Sequence, residues 1–374
     1  MIKKLILFVM LVLSASSLSA AETKPVETLA LGAQAPAFAL RGVDNRIYRL
    51  RSFARSKVLV IVFTCNHCPT AQAYEERLKQ LTTDYRGKGV AVVAISPNDN
   101  KSIRLDELGY TDLGDSLEEM KIRARDRQFN FPYLYDGDTQ AASRAYGPTA
   151  TPHAFVFDAA RKLRYIGRID NSEREELVKN RELRSAIDSL LAAREIEAKQ
   201  TKSFGCSIKW AGKADAAKRF MDKLAAEPVS VELADADALK ALRQNNSGKL
   251  RLVNLWATWC GPCRTEFPEL VTINRTYRHR AFEFVSIAAN FPDEKKEVLA
   301  FLQQQQASNR NLLFADTDKY KMMEAFDPEW NNAVPYTMLI GQSGEVLYKV
   351  QGPVDSLELR RAIVKNLKED RTLQ

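Results

Sequence analysis

One frame is written twice in this chain, and each copy sets a Cys-x-x-Cys pair at the end of an apolar run. The plainer copy is LVNLWATWCGPCRTEFP, residues 252–268. Leu252, Val253, Leu255 and Trp256 read as a buried strand, while Phe267 and Leu270 are spaced as the inner face of a helix. A strand that delivers two cysteines onto a helix N-terminus leaves few folds open. Unpaired amides and the helix dipole stabilise a thiolate there, so Cys260 becomes a nucleophile near neutral pH. Cys263, one turn on, can attack the mixed disulfide that Cys260 forms.

The first copy runs KVLVIVFTCNHCP (57–69), AVVAISPND (91–99), FPYLYDGDTQAASRAYG (131–147) and TPHAFVFDAARKLRYIGRID (151–170). The second runs KLRLVNLWATWCGPC (249–263), FEFVSIAANFPD (282–293), LLFADTDKYKMMEAF (312–326) and VPYTMLIGQSGEVLYKVQG (334–352). Each gives strand, CxxC, helix, strand, helix, a D-x-D segment, another helix, and an X-Pro that opens a hairpin. Ile95 stands 30 residues beyond Cys65 and Ile287 stands 27 beyond Cys260, so the frames nearly superimpose. Short β-rich runs with helical connections predict parallel strands followed by an antiparallel pair. The expectation is an α/β chain of two domains, each a central mixed β-sheet flanked by helices. Residues 172–199 read as one long charged helix, and 229–232 as a strand opening the second domain.

The first 21 residues have the form of an export signal: Lys3 and Lys4, an apolar run over 5–13, then mostly Ser and Ala. Cleavage after Ser19-Ala20-Ala21 starts the mature chain at Glu22, and the apolar run is too short to span a membrane. The boundaries expected are a signal at 1–21, a first domain at 22–201, a connector at 202–227 and a second domain at 228–374. Losing Lys3 and Lys4 lowers the formal charge of +8 by two. The remaining basic residues are interleaved with acidic ones, as on solvated helix faces, which argues against a nucleic-acid partner. Five cysteines, four of them in two CxxC pairs, do not make a disulfide scaffold in a chain this long. In an oxidising compartment a CxxC is a redox centre or half a metal site.

With these motifs both copies resemble thioredoxin-like domains in tandem. WATWCGPCRTEFPEL and VPYTMLI make the second similar to the exported TlpA/ResA-like thiol–disulfide reductases. CNHCP, FPYL, TPHAFVFD and GCSIKW make the first similar to the redoxin branch of the AhpC/TSA superfamily. The resemblance implies that Cys260 attacks and Cys263 resolves, with Pro335 as a cis-proline whose neighbouring backbone pairs with a substrate strand. Pro152 is its counterpart in the first domain. Asn254 stands about where thioredoxins keep a buried aspartate; Glu266 resembles a glutamate of the ResA-like branch and could take a proton if burial raises its pKa. Its competing reading is an exposed first-turn Glu that complements the helix dipole. Trp256 and Trp259 read as packing and rim.

The first domain departs from its superfamily. A peroxiredoxin shows Pro-x-x-x-Thr-x-x-Cys, whereas here Thr64 abuts Cys65 and Cys68 follows at CxxC spacing. Dithiol exchange through Cys65 and Cys68 is therefore expected, with peroxide reduction an alternative. His67 occupies the histidine position of the oxidising CPHC sites of DsbA-like proteins, and an imidazole beside a thiolate raises the reduction potential. A solvated loop histidine is the bland alternative. The Cys65–Cys68 couple is thus expected to be the more oxidising, with electrons passing from the second domain to the first. Cys65, Cys68 and His153 could instead converge on Cu(I), as in Sco-like carriers. Cys206 reads either as a packed connector thiol or as a third redox cysteine able to pair with Cys65 or to relay between the domains. His279 reads as a surface helix end.

The resemblance implies an exported thiol–disulfide oxidoreductase, periplasmic in a Gram-negative cell, soluble or peripherally membrane-associated. Its cofactors are the redox disulfides alone, Cys65–Cys68 and Cys260–Cys263. Its partners are exported proteins with disulfides and a membrane dithiol donor of the DsbD/CcdA type.

Overall fold

The computed structural model describes residues 26–367; the export signal expected at 1–21 lies outside the described residues. The first sheet comprises β1 (Ala39–Gly42), β2 (Ile47–Arg49), β3 (Val58–Phe63), β4 (Val90–Ser96), β5 (Tyr133–Tyr135), β6 (His153–Phe157) and β7 (Leu163–Gly167). Their order is β2-β1-β5-β4-β3-β6-β7. β3 runs parallel to β4 and β4 to β5, while β6 lies antiparallel to β3 and β7 antiparallel to β6. β3 is VLVIVF, buried at every position. Val58, Val60 and Val62 enter one core cluster and Leu59, Ile61 and Phe63 another on the opposite face. A strand apolar on both faces belongs in mid-sheet with helices over each side. Those helices are α1 (Pro69–Ala73), α2 (Glu75–Asp84), α3 (Leu117–Asp126), α4 (Ala141–Tyr146) and α5 (Glu182–Leu191).

Only α5 forms from the long helix expected at 172–199. The reason lies next to it: the Arg77 guanidinium, paired with Asp170, also donates to the carbonyls of Ser172 and Glu173. Those carbonyls are thereby taken from any helix that starts at 172.

After α6 (Ala214–Ala225), the second sheet takes β8 (Glu232–Ala234), β9 (Leu250–Trp256), β10 (Phe282–Ala288), β11 (Arg310–Phe314), β12 (Tyr336–Ile340) and β13 (Val346–Gln351), ordered β13-β12-β9-β10-β11-β8. The opening strand is thus β8, shifted from the expected 229–232. Its helices are α7 (Ala236–Gln244), α8 (Gly261–Tyr277), α9 (Lys295–Gln304), α10 (Lys319–Phe326) and α11 (Ser356–Asn366). β9 through β11 are parallel and β12 and β13 antiparallel, so both copies share one plan. No helix among the described residues is long and apolar enough to cross a membrane.

The domains meet at the C-terminal end of α8. Tyr277 Oη donates to the Thr111 carbonyl (2.7 Å), and an Arg280 guanidinium nitrogen donates to the Gly109 carbonyl (3.0 Å) while that side chain lies over the Tyr110 ring. Arg361 of α11 pairs with Asp112 and Asp126. His279 is exposed at the end of α8, as expected of a surface helix end, with its ring edge-on to Tyr110.

Candidate active sites

In the second domain β9 ends at Trp256, and Cys260 caps α8: its Sγ accepts the Cys263 amide at 3.2 Å. Pro262 sits in the first turn, where a missing N–H costs nothing. Cys260 and Cys263 are joined by a disulfide and both are buried, Cys263 completely. The Val334–Pro335 bond is cis, and Val334 O lies 3.6 Å from Cys260 Sγ. Trp256 packs between Phe267 and Phe301, whereas Trp259 is 67% exposed beside Cys260.

Glu266 is buried rather than on an exposed face. Asn254 Nδ2 donates to one carboxylate oxygen (3.1 Å) and the Val354 amide to the other (2.9 Å). Burial raises its pKa against those two donors. A carboxylate three residues beyond Cys263 on the same helix face, with a raised pKa, is suited to exchange a proton with that thiol.

The first site differs. Its helix starts one CxxC span later: Cys68, not Cys65, is the N-cap of α1, and its Sγ accepts the Ala71 amide (3.4 Å). Cys65 and Cys68 are free thiols, both buried. Burial pushes the Cys65 thiol well up, its neighbour Cys68 adding to the effect. Burial also pushes Cys68 up, but hydrogen bonds from Cys206, Cys65 and the Ala71 amide, with the charge of His67, hold it well below its ordinary value. The Thr151–Pro152 bond is cis; Thr151 O accepts from the Cys68 thiol and Thr151 Oγ1 meets Cys65 Sγ, each at 3.2 Å.

His67 is not a solvated loop residue. It is 2% exposed, and its Nδ1 lies 2.6 Å from Oδ2 of the fully buried Asp115. Burial alone would lower its pKa, but Asp115 outweighs it and holds the ring's pKa raised; Asp115 is correspondingly lowered by His67. The two directions agree, as an ion pair requires. Asp115 Oδ1 also accepts the amides of Asn66 and His67, and Asn98 donates to Oδ2. Among the described residues Nε2 of His67 is buried without a hydrogen-bond partner, so the ring is oriented through its Nδ1 contact with Asp115.

His153 does not join the cysteines. Its Nδ1 accepts the Thr149 amide (3.1 Å), its ring packs on Phe155, and burial lowers its pKa to about 4. The described residues instead bring Cys65, His67 and Asp115 within 4.8 Å. The copper set expected at Cys65, Cys68 and His153 is therefore not assembled, because the pairing of β6 with β3 sets His153 opposite Phe63 instead.

Cys206 lies against Cys68, not out in a connector. Its amide donates to Cys68 Sγ (3.4 Å) and its carbonyl accepts the Thr151 amide (2.9 Å). The contact of Cys206 is thus with Cys68 rather than with Cys65, and all three are free thiols. Asp115 escaped the sequence reading, and Thr151, expected only as the residue before the cis-proline, meets both cysteines. The pattern Ser116-x-x-Glu119 announces the cap of α3, and the structure confirms that capping box. Nothing local ties the preceding Asp115 to His67, 48 residues upstream.

Residues 31–166 match the AhpC/TSA family and residues 215–364 the Redoxin family. The thiol:disulfide interchange protein CycY of Rhizobium leguminosarum is 29% identical over 140 residues, which cover 37% of this chain and 68% of that protein. The thiol:disulfide interchange protein HelX of Rhodobacter capsulatus is 30% identical over 129 residues, 34% of this chain and 64% of that one. An uncharacterized conserved protein from Geobacillus kaustophilus, known as a crystal structure, is 40% identical, covering 48% of this chain and 92% of its own with a TM-score of 0.44.

Proposed function

The chain joins an AhpC/TSA-family domain to a Redoxin-family domain, and from that premise we propose an exported thiol–disulfide oxidoreductase that exchanges disulfides in other exported proteins through both CxxC centres. One observation carries the reading: Cys260 caps α8, bonded to a buried Cys263, beside an exposed Trp259 and the backbone of Val334. The reduced Cys260 thiolate attacks a client sulfur; the client's other sulfur leaves as a thiolate and takes a proton. Cys263, deprotonated towards Glu266, then attacks Cys260 Sγ and frees the client's first sulfur. The client ends reduced and Cys260–Cys263 oxidised. A dithiol donor of the DsbD/CcdA type must then restore the pair.

The first couple is the more oxidising in this reading. The Cys68 thiolate is stabilised by two backbone amides and by His67, which favours the reduced form. Electrons would therefore pass from the second domain to the first. Among the described residues no hydrogen bond, ion pair or ring contact links the two sites, and α8 touches the first domain by the end opposite Cys260. Such a relay needs the domains to reorient or two chains to meet.

The match of residues 31–166 to the AhpC/TSA family favours a second reading, a thiol peroxidase with its own reductase domain. Against it, burial raises the Cys65 thiol, whereas a peroxide-cleaving cysteine needs a thiolate. Stopped-flow oxidation of the fully reduced chain by a model protein disulfide and by hydrogen peroxide separates them. Rapid reaction with the disulfide and sluggish reaction with peroxide is expected. Rapid peroxide consumption that disappears in Cys65→Ser overturns the first reading in favour of the second.

A further inference from the structure

The residue before each cis-proline faces its cysteines, but the two are occupied differently. The amide of Val334 has no partner among the described residues, so that edge is open to an incoming strand. The amide of Thr151 is already bonded to Cys206 O, and the two residues form an antiparallel bridge. Gly205 makes that approach possible: its φ is +133°, and a Cβ there would stand 2.1 Å from Thr151 O. The segment is held on both sides. Phe204 packs on Tyr74, and Lys209 donates its amide to Asn98 while its carbonyl accepts from Asp99 N and Gln140 Nε2. Cys206 completes a cluster with Cys65, Cys68 and Ala71, and alone of the three thiols is only partly buried.

We propose that residues 205–206 fill, from within the chain, the strand position that the second domain leaves open for a client, and that Cys206 is the built-in exchange partner of Cys68. The proposal rests on the first CxxC being a redox centre. Beside reduced Cys68 the Cys206 thiol is pushed well up, first by its hydrogen bond to Cys68 and then by burial. Once Cys65–Cys68 is oxidised the Cys68 thiolate that causes most of this is gone, and Cys206, on giving up its proton, attacks Cys68 Sγ. The Cys65–Cys68 bond breaks, Cys68–Cys206 forms, and Cys65 leaves as a thiolate that takes up the proton Cys206 released. No external reactant is consumed. The exchange moves the disulfide from a sealed pair to the outer edge of the domain, where a second thiol can reach it.

The test is disulfide mapping of the full chain carrying Cys65→Ser, oxidised with diamide, alkylated, digested and read by mass spectrometry. A Cys68–Cys206 peptide pair is expected. If Cys68 and Cys206 are both alkylated while Cys260–Cys263 has formed in the same sample, the proposal falls. In the wild type, absence of any first-site disulfide sinks the redox reading of that site and this proposal with it. A normal Cys65–Cys68 bond there, with Cys68 and Cys206 unjoined in Cys65→Ser, sinks this proposal alone. Cys206→Ser, and Gly205→Ala with every thiol kept, are each expected to slow reduction of the first-site disulfide by dithiothreitol about tenfold, as loss of a held reactant does. Unchanged rates in both overturn it.

Discussion

The two CxxC centres sit on the same strand of the same sheet plan, yet their helices start three residues apart. α8 begins at Gly261, directly after the first cysteine; α1 begins at Pro69, directly after the second. In each case the cysteine before the helix takes the amide that would otherwise be unpaired. Spacing between cysteines therefore does not say which of them becomes the thiolate; the position of the helix start does. The cause is visible in the intervening residues. Gly261 and Pro262 enter a helix readily, whereas Asn66 and His67 are held outside one by Asp115, Gly114 and Tyr133. One site has an exposed Trp259 beside its buried cysteines; across the other lies an isolated bridge from its own chain, Cys206 to Thr151.

The largest expected effect tests the open site. Cys260→Ser should reduce disulfide exchange with a model protein substrate by on the order of 1000-fold, as loss of an activated nucleophile does. Cys65→Ser should leave most of that activity, because Thr151 is already covered. Equal losses, measured by stopped-flow fluorescence, would erase the distinction between open and covered ends.

The His67–Asp115 pair comes next. Asp115→Asn leaves a buried ring without its counter-charge, a change costing about 3 kcal/mol. The sign with pH follows from the two shifts. His67 is raised above 6.5, so its share of stability is complete below that value and is lost as pH rises past the folded pKa. Asp115 is lowered below 3.8, so its share is complete above that value and lost as pH falls through the folded pKa. Urea titrations should show the gap between wild type and Asp115→Asn widest between those limits and narrowing on the alkaline side. The same variant should make the Cys65–Cys68 couple more reducing by on the order of 30 mV, read against a glutathione buffer.

These contrasts mark what the chain disclosed before its structure. The tandem α/β plan, the parallel-then-antiparallel strands and both CxxC positions follow from apolar runs such as VLVIVF and from a repeat with matching intervals. Contacts across long sequence separations did not. Asp115 reaches His67 through a loop that no periodicity describes, and Cys206 returns to Thr151 over 55 residues. Arg77 dissolved an expected helix by capturing carbonyls from another element. Nor did anything near His279, which is exposed as expected, signal its contact with Tyr110 of the first domain.

Glu266 separates the centres on a third ground, since the first site has no carboxylate at the matching place: Ala71 stands three residues past Cys68. Because burial raises Glu266, the resolving step in the second domain should slow as pH falls through that raised value. Glu266→Gln should flatten this limb and lower the step about tenfold. Single-turnover release of a mixed disulfide at Cys260, followed across pH, measures it; a limb that survives in Glu266→Gln assigns the proton to another group.

The smallest effect concerns how far the two centres are independent. The far end of α8 touches the loop that leads to Asp115, through Tyr277 Oη on Thr111 O. Tyr277→Phe keeps the ring in its apolar site and leaves the Thr111 carbonyl buried without a donor, a loss of about 1 kcal/mol. That loss should appear as earlier separation of the domains in limited proteolysis or urea. Asp115 keeps its bonds from Asn66, His67 and Asn98 without help from Tyr277. The first-site potential should therefore move far less in Tyr277→Phe than in Asp115→Asn. A shift of similar size in both would mean that the second domain sets the poise of the first through this contact, and the two centres would then be one coupled unit.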